Sequence, residues 1–348
     1  MFSRLWNWAL GRWYNVPLPT DAGAMPVFQS WYRFNPDSQT WTPFDCEHIT
    51  AREKGSTEEE FEPAHDSRLV LITWNVDATA SAPNARISSI ISHLESVIPQ
   101  VDVIFLQEVS RPALSTLLAI PWLRYHWYLS EVDTIDWGSS QSFKNVTLVS
   151  RSRLSTTHLT LGPIWRVNYP SHFRRVALCC DIILPLSKQT QTQSCSASPQ
   201  SSPNYHPRIR LINVHLDSLP IQPSLRPIQL STTASYLRAA GHGLVAGDFN
   251  PVLPADDTLI SNNGLVDAWK KLHPDEDGFT WGIDRNQPFP PNRLDKVAIV
   301  AVKAHGIKVV PPGTCMATSN QLKGQEQERQ ISWSDHSGLL CSFGLECT

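Results

Sequence analysis

Apolar runs of strand length alternate along the chain with stretches of helical period. "RLVLITWN" (68–75) and "VDVIFLQEV" (101–109) are apolar runs that read as strands. Between them, "NARISSIISHLESVI" (84–98) places Ile87, Ile90, Ile91, Leu94 and Ile98 at helical spacing. A second helix is expected from about Ser110 to Leu118, so the pattern opens as strand, helix, strand, helix. The texture then changes. "YHWYLS", "SFKNVTLVS", "LSTTHLTL", "RRVALCCDIIL" and "RIRLINVHL" are five strand-like runs separated only by loops, which predicts an antiparallel meander. After them the pattern predicts a helix over about 226–240, the strand "HGLVAGDFN" (242–250), a short helix near 265–272, the strand "LDKVAIVAV" (294–302) and a closing strand at 338–343.

Two regions stand outside this pattern. Residues 1–67 read as an N-terminal extension: "FQSWYRFNPDSQTWTPF" (28–44) is aromatic and turn-rich, and "EKGSTEEEFEPAHD" (53–66) is an acidic linker. Regular structure is expected to begin at Arg68, with one catalytic domain over 68–348. Residues 186–207, "LSKQTQTQSCSASPQSSPNYHP", are almost free of apolar side chains and cannot bury enough surface to order themselves. They are expected to be a disordered insertion without a chemical role.

Composition narrows the function. The net charge of −3 argues against wholesale electrostatic capture of nucleic acid, so such a substrate would need a local basic patch and a metal. The seven cysteines form no C-x-x-C pair, which disfavours a thiolate zinc site. Most sit in apolar runs and read as reduced core residues of an intracellular protein, in the nucleus or cytoplasm. Asn145-Val146-Thr147 fits a glycosylation acceptor but opens an apolar run, so it is read as buried strand. No stretch approaches the ~20 apolar residues of a membrane span. The first twenty residues carry Arg4 and Arg12 and no acid, a weak likeness to a mitochondrial presequence; docking on the domain or a membrane surface, or plain disorder, is the favoured alternative.

Chemistry gathers where the strands stop. One run ends in Asn75 and then Asp77, the next in Gln107-Glu108, and a third in His215 followed by Asp217-Ser218. Another ends in Asp248-Phe249-Asn250, the strand near 294 opens with Asp295, and the last strand follows Asp335-His336. A single acid after a strand is an ordinary turn residue. Six apolar runs bounded by carboxylates, amides and imidazoles point to a site at the strand mouths.

"TWNVD", "LQEV", "NVHLDS", "GDFN", "NRLDK" and "SDH", in this order, resemble the endonuclease/exonuclease/phosphatase superfamily over residues 68–344. "LITWNVDA", "INVHLDS", "YPSHFRR", "GLVDAWKKLHPDEDGFTWG" and "SDHSGLLC" are similar to its 5′-tyrosyl-DNA phosphodiesterase branch. The resemblance implies an α/β fold: a four-layer α/β/β/α sandwich of two mixed, mainly antiparallel sheets flanked by helices. It also implies divalent-metal-dependent phosphodiester hydrolysis. Such hydrolysis must neutralise an anion, aim a nucleophile and stabilise the developing charge.

On this resemblance Glu108 and Asp77 hold a magnesium ion (manganese as the alternative), with Asp335 assisting. Magnesium takes hard oxygen ligands and is often bound by one or two carboxylates. Asp248 positions and deprotonates the attacking water, and Asn250 orients it. His336 contacts the phosphate with Asp295 fixing its ring, while His215 and Asn75 donate to phosphate oxygens. Ser218, Arg174, Arg175 and Arg226 are expected at the substrate. Arg208 and Arg210 are open between phosphate contact and solvated sheet edge, and Trp165 and Tyr169 between base stacking and packing. The implied partner is nucleic acid with a 5′-protein or 5′-tyrosyl adduct. Pro251-Val252-Leu253 departs from the branch, where a basic residue is expected, and residues 1–67 show no ubiquitin-binding helix. An abasic-site nuclease and a lipid or inositol phosphoesterase stay open as alternatives.

Overall fold

The computed structural model describes residues 16–20, 23–44, 46, 68–135, 137, 141–156, 159–185, 207–284, 287–320 and 326–345. Two sheets stack face to face. The first has the strand order β14-β17-β4-β5-β7-β6-β2-β3. Its centre is β4 (Arg68–Asn75) and β5 (Val103–Ser110), parallel and joined through helix α1 (Pro83–Ser96). β17 (Gly338–Gly344) and β7 (Phe143–Ser150) flank them antiparallel. β14 (Ala304–Val310) closes one edge, and β6 (Trp127–Leu129), β2 (Trp31–Asn35) and β3 (Thr40–Phe44) form the other.

The second sheet has the order β1-β8-β9-β10-β11-β13-β12. β10 (Arg208–His215) and β11 (Gly243–Asp248) run parallel through helix α5 (Arg226–Ala240). Around them lie β1 (Pro26–Gln29), β8 (Thr160–Asn168), β9 (Val176–Ile183), β12 (Val266–Asp267) and β13 (Asp295–Val300). Among the described residues the other α-helices are α2 (Arg111–Ala119), α3 (Pro121–His126), α4 (Arg151–Thr156), α6 (Leu259–Asn262) and α7 (Ala268–Leu272), with a 3-10 turn at Pro254–Thr258.

Strand alternation explains the layers. Leu71, Phe105, Leu211 and Leu244 point between the sheets and share one core. Their neighbours Ile72, Ile104 and Leu106 face the other way, where Ile87, Ile90 and Leu94 of α1 and Leu114 of α2 cover them. Val214 and Val245 likewise pack under Leu230, Ala234 and Leu237 of α5. The architecture is therefore the four-layer α/β/β/α sandwich.

Among the described residues regular structure is already present at Pro26, well before Arg68. β1 pairs with β8 in one sheet, and β2 pairs with β3 and β6 in the other. The Pro36-Asp37-Ser38 turn gave this stretch its irregular look. Asn35 Oδ1 accepts the Asp37 N–H at 2.9 Å and turns the chain into a hairpin. "LSTTHLTL" is not one strand. Ser150 Oγ accepts the Arg153 N–H at 3.3 Å, and the chain turns into α4 before β8 starts at Thr160. β8 then runs through Gly162-Pro163 by shifting register between Leu161 and Ile164. The pattern also missed β14 and the separate hairpin of β15 (Thr314–Asn320) and β16 (Glu326–Ser332). Residues 186–206, the acidic linker and residues 1–15 of the presequence-like N-terminus lie outside the described residues. Cys179, Cys180 and Cys341 are buried free thiols, and Asn145 is buried too. Among the described residues no helix is long and apolar enough to cross a membrane.

Candidate active site

The two parallel strand pairs end at the same side of the sandwich, and register brings their last residues together. His215 is paired with Asp248, and Asp248 with Asp295, so three groups share one rung across β10, β11 and β13. On the first sheet Asn75 is paired with Gln107, next to Glu108. Gly247 allows the close approach of β10 and β11: at φ +142° a Cβ there would lie 1.9 Å from the Val214 carbonyl oxygen. Beneath the rung the sheets are stitched by buried amides. Gln107 Nε2 donates to Asn213 Oδ1 at 2.8 Å, and Asn213 Nδ2 donates to the Val146 carbonyl at 3.0 Å.

Above this network the polar groups converge. Asn75 Nδ2 donates to Asp248 Oδ2 at 3.1 Å across the sheets and lies 3.4 Å from Glu108 Oε1. The Asn250 N–H donates to Asp248 Oδ1 at 2.9 Å. His215 Nε2 lies 3.4 Å from Asp248 Oδ2 and 3.7 Å from Glu108 Oε1. Two carboxylates facing one ring nitrogen place the proton on Nε2. The ring stacks on Phe143, with centroids 6.1 Å apart. His336 Nδ1 donates to Asp295 Oδ2 at 2.8 Å. Ser334 Oγ accepts the His336 N–H at 3.0 Å and donates to the Asn75 carbonyl at 2.6 Å, so this turn is clamped onto β4. Glu108 and Asn250 hold positive φ values of 59° and 46°, backbone strain of the kind that collects at functional sites.

The electrostatics separate these groups. Burial pushes Asp248 up to about 7, helped by Asp295 and Glu108 and opposed by His336 and the Asn250 N–H. Burial alone would strip the proton from His336. The charge and hydrogen bond of Asp295, with Asp248 and Asp335, outweigh it and raise the imidazole to about 10. His215 is driven well below its ordinary value by burial, then by Arg175 and His336. Near neutral pH the site thus holds a cationic His336, a neutral His215 and an Asp248 poised to exchange a proton.

The expected metal ligands divide. Glu108 stands at the mouth with its side chain 17% exposed, against 2% for Asp248, and Oε2 accepts the Ala78 N–H at 3.0 Å. Asp77 is instead engaged by Thr79 Oγ1 at 2.9 Å and Arg86 at 3.6 Å, because a positive φ of 55° folds it into a local turn. Asp335 is exposed and accepts from Trp281 Nε1 at 3.0 Å. Among the described residues no three His, Cys, Asp or Glu side chains form a cage for an ion. One mouth carboxylate beside buried amides fits a hard cation that keeps most of its waters, not a zinc-type centre.

Arg175 faces the charges of Glu108 and Asp248, lies over Phe143 at 4.8 Å and approaches Ser218 Oγ at 3.5 Å. With Lys144, Phe173, exposed Arg174 and His215 it lines a cavity of about 70 Å³. Arg226 does not reach this space. It is buried, held by Asp256 at 2.9 Å and by the carbonyls of Asp217 and Leu219. Arg208 and Arg210 are also buried, paired with Asp181 at 3.3 and 2.7 Å. Trp165 and Tyr169 are core residues. The sequence assigned no role to Phe143, Asn213, Thr280 or Ser334, although Asn213 opens "NVHLDS", Thr280 stands in "GFTWG" and Ser334 opens "SDH".

A family model described as "Endonuclease/Exonuclease/phosphatase family" matches residues 72–336. No curated protein sequence matches the chain. Solved structures share its fold. D. rerio TDP2 complexed with a single-stranded DNA product is 22% identical at a TM-score of 0.54, covering 80% of this chain and 100% of that one. Truncated Caenorhabditis elegans TDP2 is 18% identical at 0.54, covering 80% and 98%. Sphingomyelinase C from Streptomyces griseocarneus is 13% identical at 0.55, covering 79% and 99%. Members of the matched family are phosphodiesterase and nuclease hydrolases that typically depend on a metal. The chain belongs to the endonuclease/exonuclease/phosphatase family and is a phosphoesterase of that class.

Proposed function

We propose that the protein hydrolyses 5′-phosphotyrosyl bonds at DNA ends with magnesium as the metal. The observation that carries the reading is the His215–Asp248–Asp295 rung, bridged by Asn75 to Glu108 and faced by His336. It sets a half-neutralised carboxylate beside a cationic imidazole in a buried site, which suits phosphodiester hydrolysis.

Asp248 accepts the proton of the attacking water. The Asn250 N–H and the Asn75 amide hold its two oxygens in place. His336 keeps its Nε2–H for a non-bridging phosphate oxygen, because Nδ1 is committed to Asp295. His215 supplies a neutral Nε2–H donor. Glu108 would hold the ion, which when bound lends positive charge to the phosphate. The leaving tyrosyl oxygen has an ordinary pKa of about 10 and departs more readily than a sugar alkoxide.

The cavity lined by Lys144, Arg174, Arg175, Phe143 and Phe173 supports a nucleic-acid strand, since cations and aromatic faces suit phosphates and unpaired bases. The DNA product carried by the D. rerio TDP2 structure is consistent with it. The test is kcat/KM on three substrates: a single-stranded oligonucleotide with a 5′-phosphotyrosine, an abasic-site duplex, and sphingomyelin vesicles. Preference for the first by more than about tenfold is expected. Preference for either of the others would overturn the substrate while keeping the hydrolytic centre.

A further inference from the structure

The His336–Asp295 pair joins two sheets. His336 lies just before β17 in the first, and Asp295 opens β13 in the second. Asp295 has little to aim it. Its Oδ2 meets His336 at 2.8 Å, while Oδ1 is buried with no hydrogen bond. The placement of this carboxylate therefore depends on its backbone.

Thr280 touches both sides of the pair. Its Oγ1 accepts the Asp295 N–H at 3.0 Å, and its carbonyl accepts the Ser337 N–H at 2.7 Å. Thr280 is itself fully buried. Trp281 extends the splint by bridging to His336 and to Asn292. One short segment from outside both central strands thus spans the two halves of the dyad.

We infer that Thr280 is a positioning residue for the His336–Asp295 dyad. Its hydroxyl fixes where β13 begins, and its carbonyl fixes the loop that presents the imidazole. The bond between an imidazolium and a carboxylate weakens steeply with misalignment. A small displacement of Asp295 therefore loosens the hold on the His336 ring and turns its other nitrogen away from the reacting centre. Thr280 acts through the dyad and not on the phosphate.

The inference rests on reading His336 as the cation that faces the phosphate, and its test does not depend on the substrate. Thr280→Val removes the acceptor at nearly constant size, and Thr280→Ser keeps it. Turnover of a simple aryl phosphodiester by the full chain with magnesium is compared among the parent and both variants. Thr280→Val is expected to cut kcat about tenfold with KM within about twofold, and Thr280→Ser should restore kcat. A kcat loss reversed by serine supports the inference even if the phosphotyrosyl substrate proves wrong. An unchanged kcat in the valine chain, a change in KM in place of kcat, or a loss that serine does not reverse, overturns it. Thr280→Ala takes the place of valine if that chain does not fold.

Discussion

In the proposed mechanism Asp248 and His336 carry opposite halves of the chemistry, because their surroundings shift them in ways that oppose their ordinary charges. Asp248 is lifted to about 7 and works only once deprotonated, so kcat/KM should rise as pH climbs through about 7. His336 is lifted to about 10 and works only while protonated, so the rate should fall as pH passes about 10. The expected profile is a plateau between those limits, and a rate still high at pH 5 would contradict the role of Asp248. These residues were legible in the sequence because each ends or opens an apolar run. Asp77 was legible as an acid but not as a turn residue, since its positive φ and its contact with Arg86 do not show in the motif. Arg226 misled for a related reason. Its partner Asp256 lies 30 positions away, and no local pattern announces a buried ion pair.

At the scale of elements, the site depends on parallel strands meeting in register. Gly247 is the tightest point, where any side chain would collide with the Val214 carbonyl. Gly247→Ala is expected to destabilise the fold by about 3 kcal/mol or more, by clash and backbone strain together. A urea melt checks this, and a midpoint within error of the parent would contradict it. The central strands were readable as unbroken apolar runs because both their faces are buried, and α1 because Ile87, Ile90, Ile91 and Leu94 recur at helical spacing. The hairpin β15–β16 was not: it is rich in Gln, Glu, Ser and Thr and builds no core. Asn213 and Thr280 stood inside legible motifs, but their roles were hidden, since their partners come from other strands and loops more than ten residues away.

Across the whole molecule, the strands at residues 26–44 are part of the sandwich. Trp31 is fully buried and donates Nε1–H to the Gly162 carbonyl at 2.9 Å, and Phe34 is buried as well. Pro17 accepts from Arg210, the cation of the deepest ion pair in the second sheet, at 2.8 Å. Each large side chain removed costs about 1.5–3 kcal/mol of burial and leaves unpaired groups behind. A chain starting at residue 68 is therefore expected to melt at least about 10 °C below the full chain or to aggregate; equal melting temperatures would restore the view of residues 1–67 as an appendage.

In the function proposed above, this cluster hydrolyses a 5′-phosphotyrosyl bond with Asp248 as its base. The most direct test is single-turnover cleavage of a single-stranded oligonucleotide bearing a 5′-phosphotyrosine, with magnesium, by the parent chain and by Asp248→Asn. The account predicts release of a 5′-phosphate end by the parent and a rate about 10²–10⁴-fold lower in the variant, with substrate binding retained. Equal rates for the two chains, or no cleavage by a parent that still hydrolyses a simple aryl phosphodiester, would contradict it.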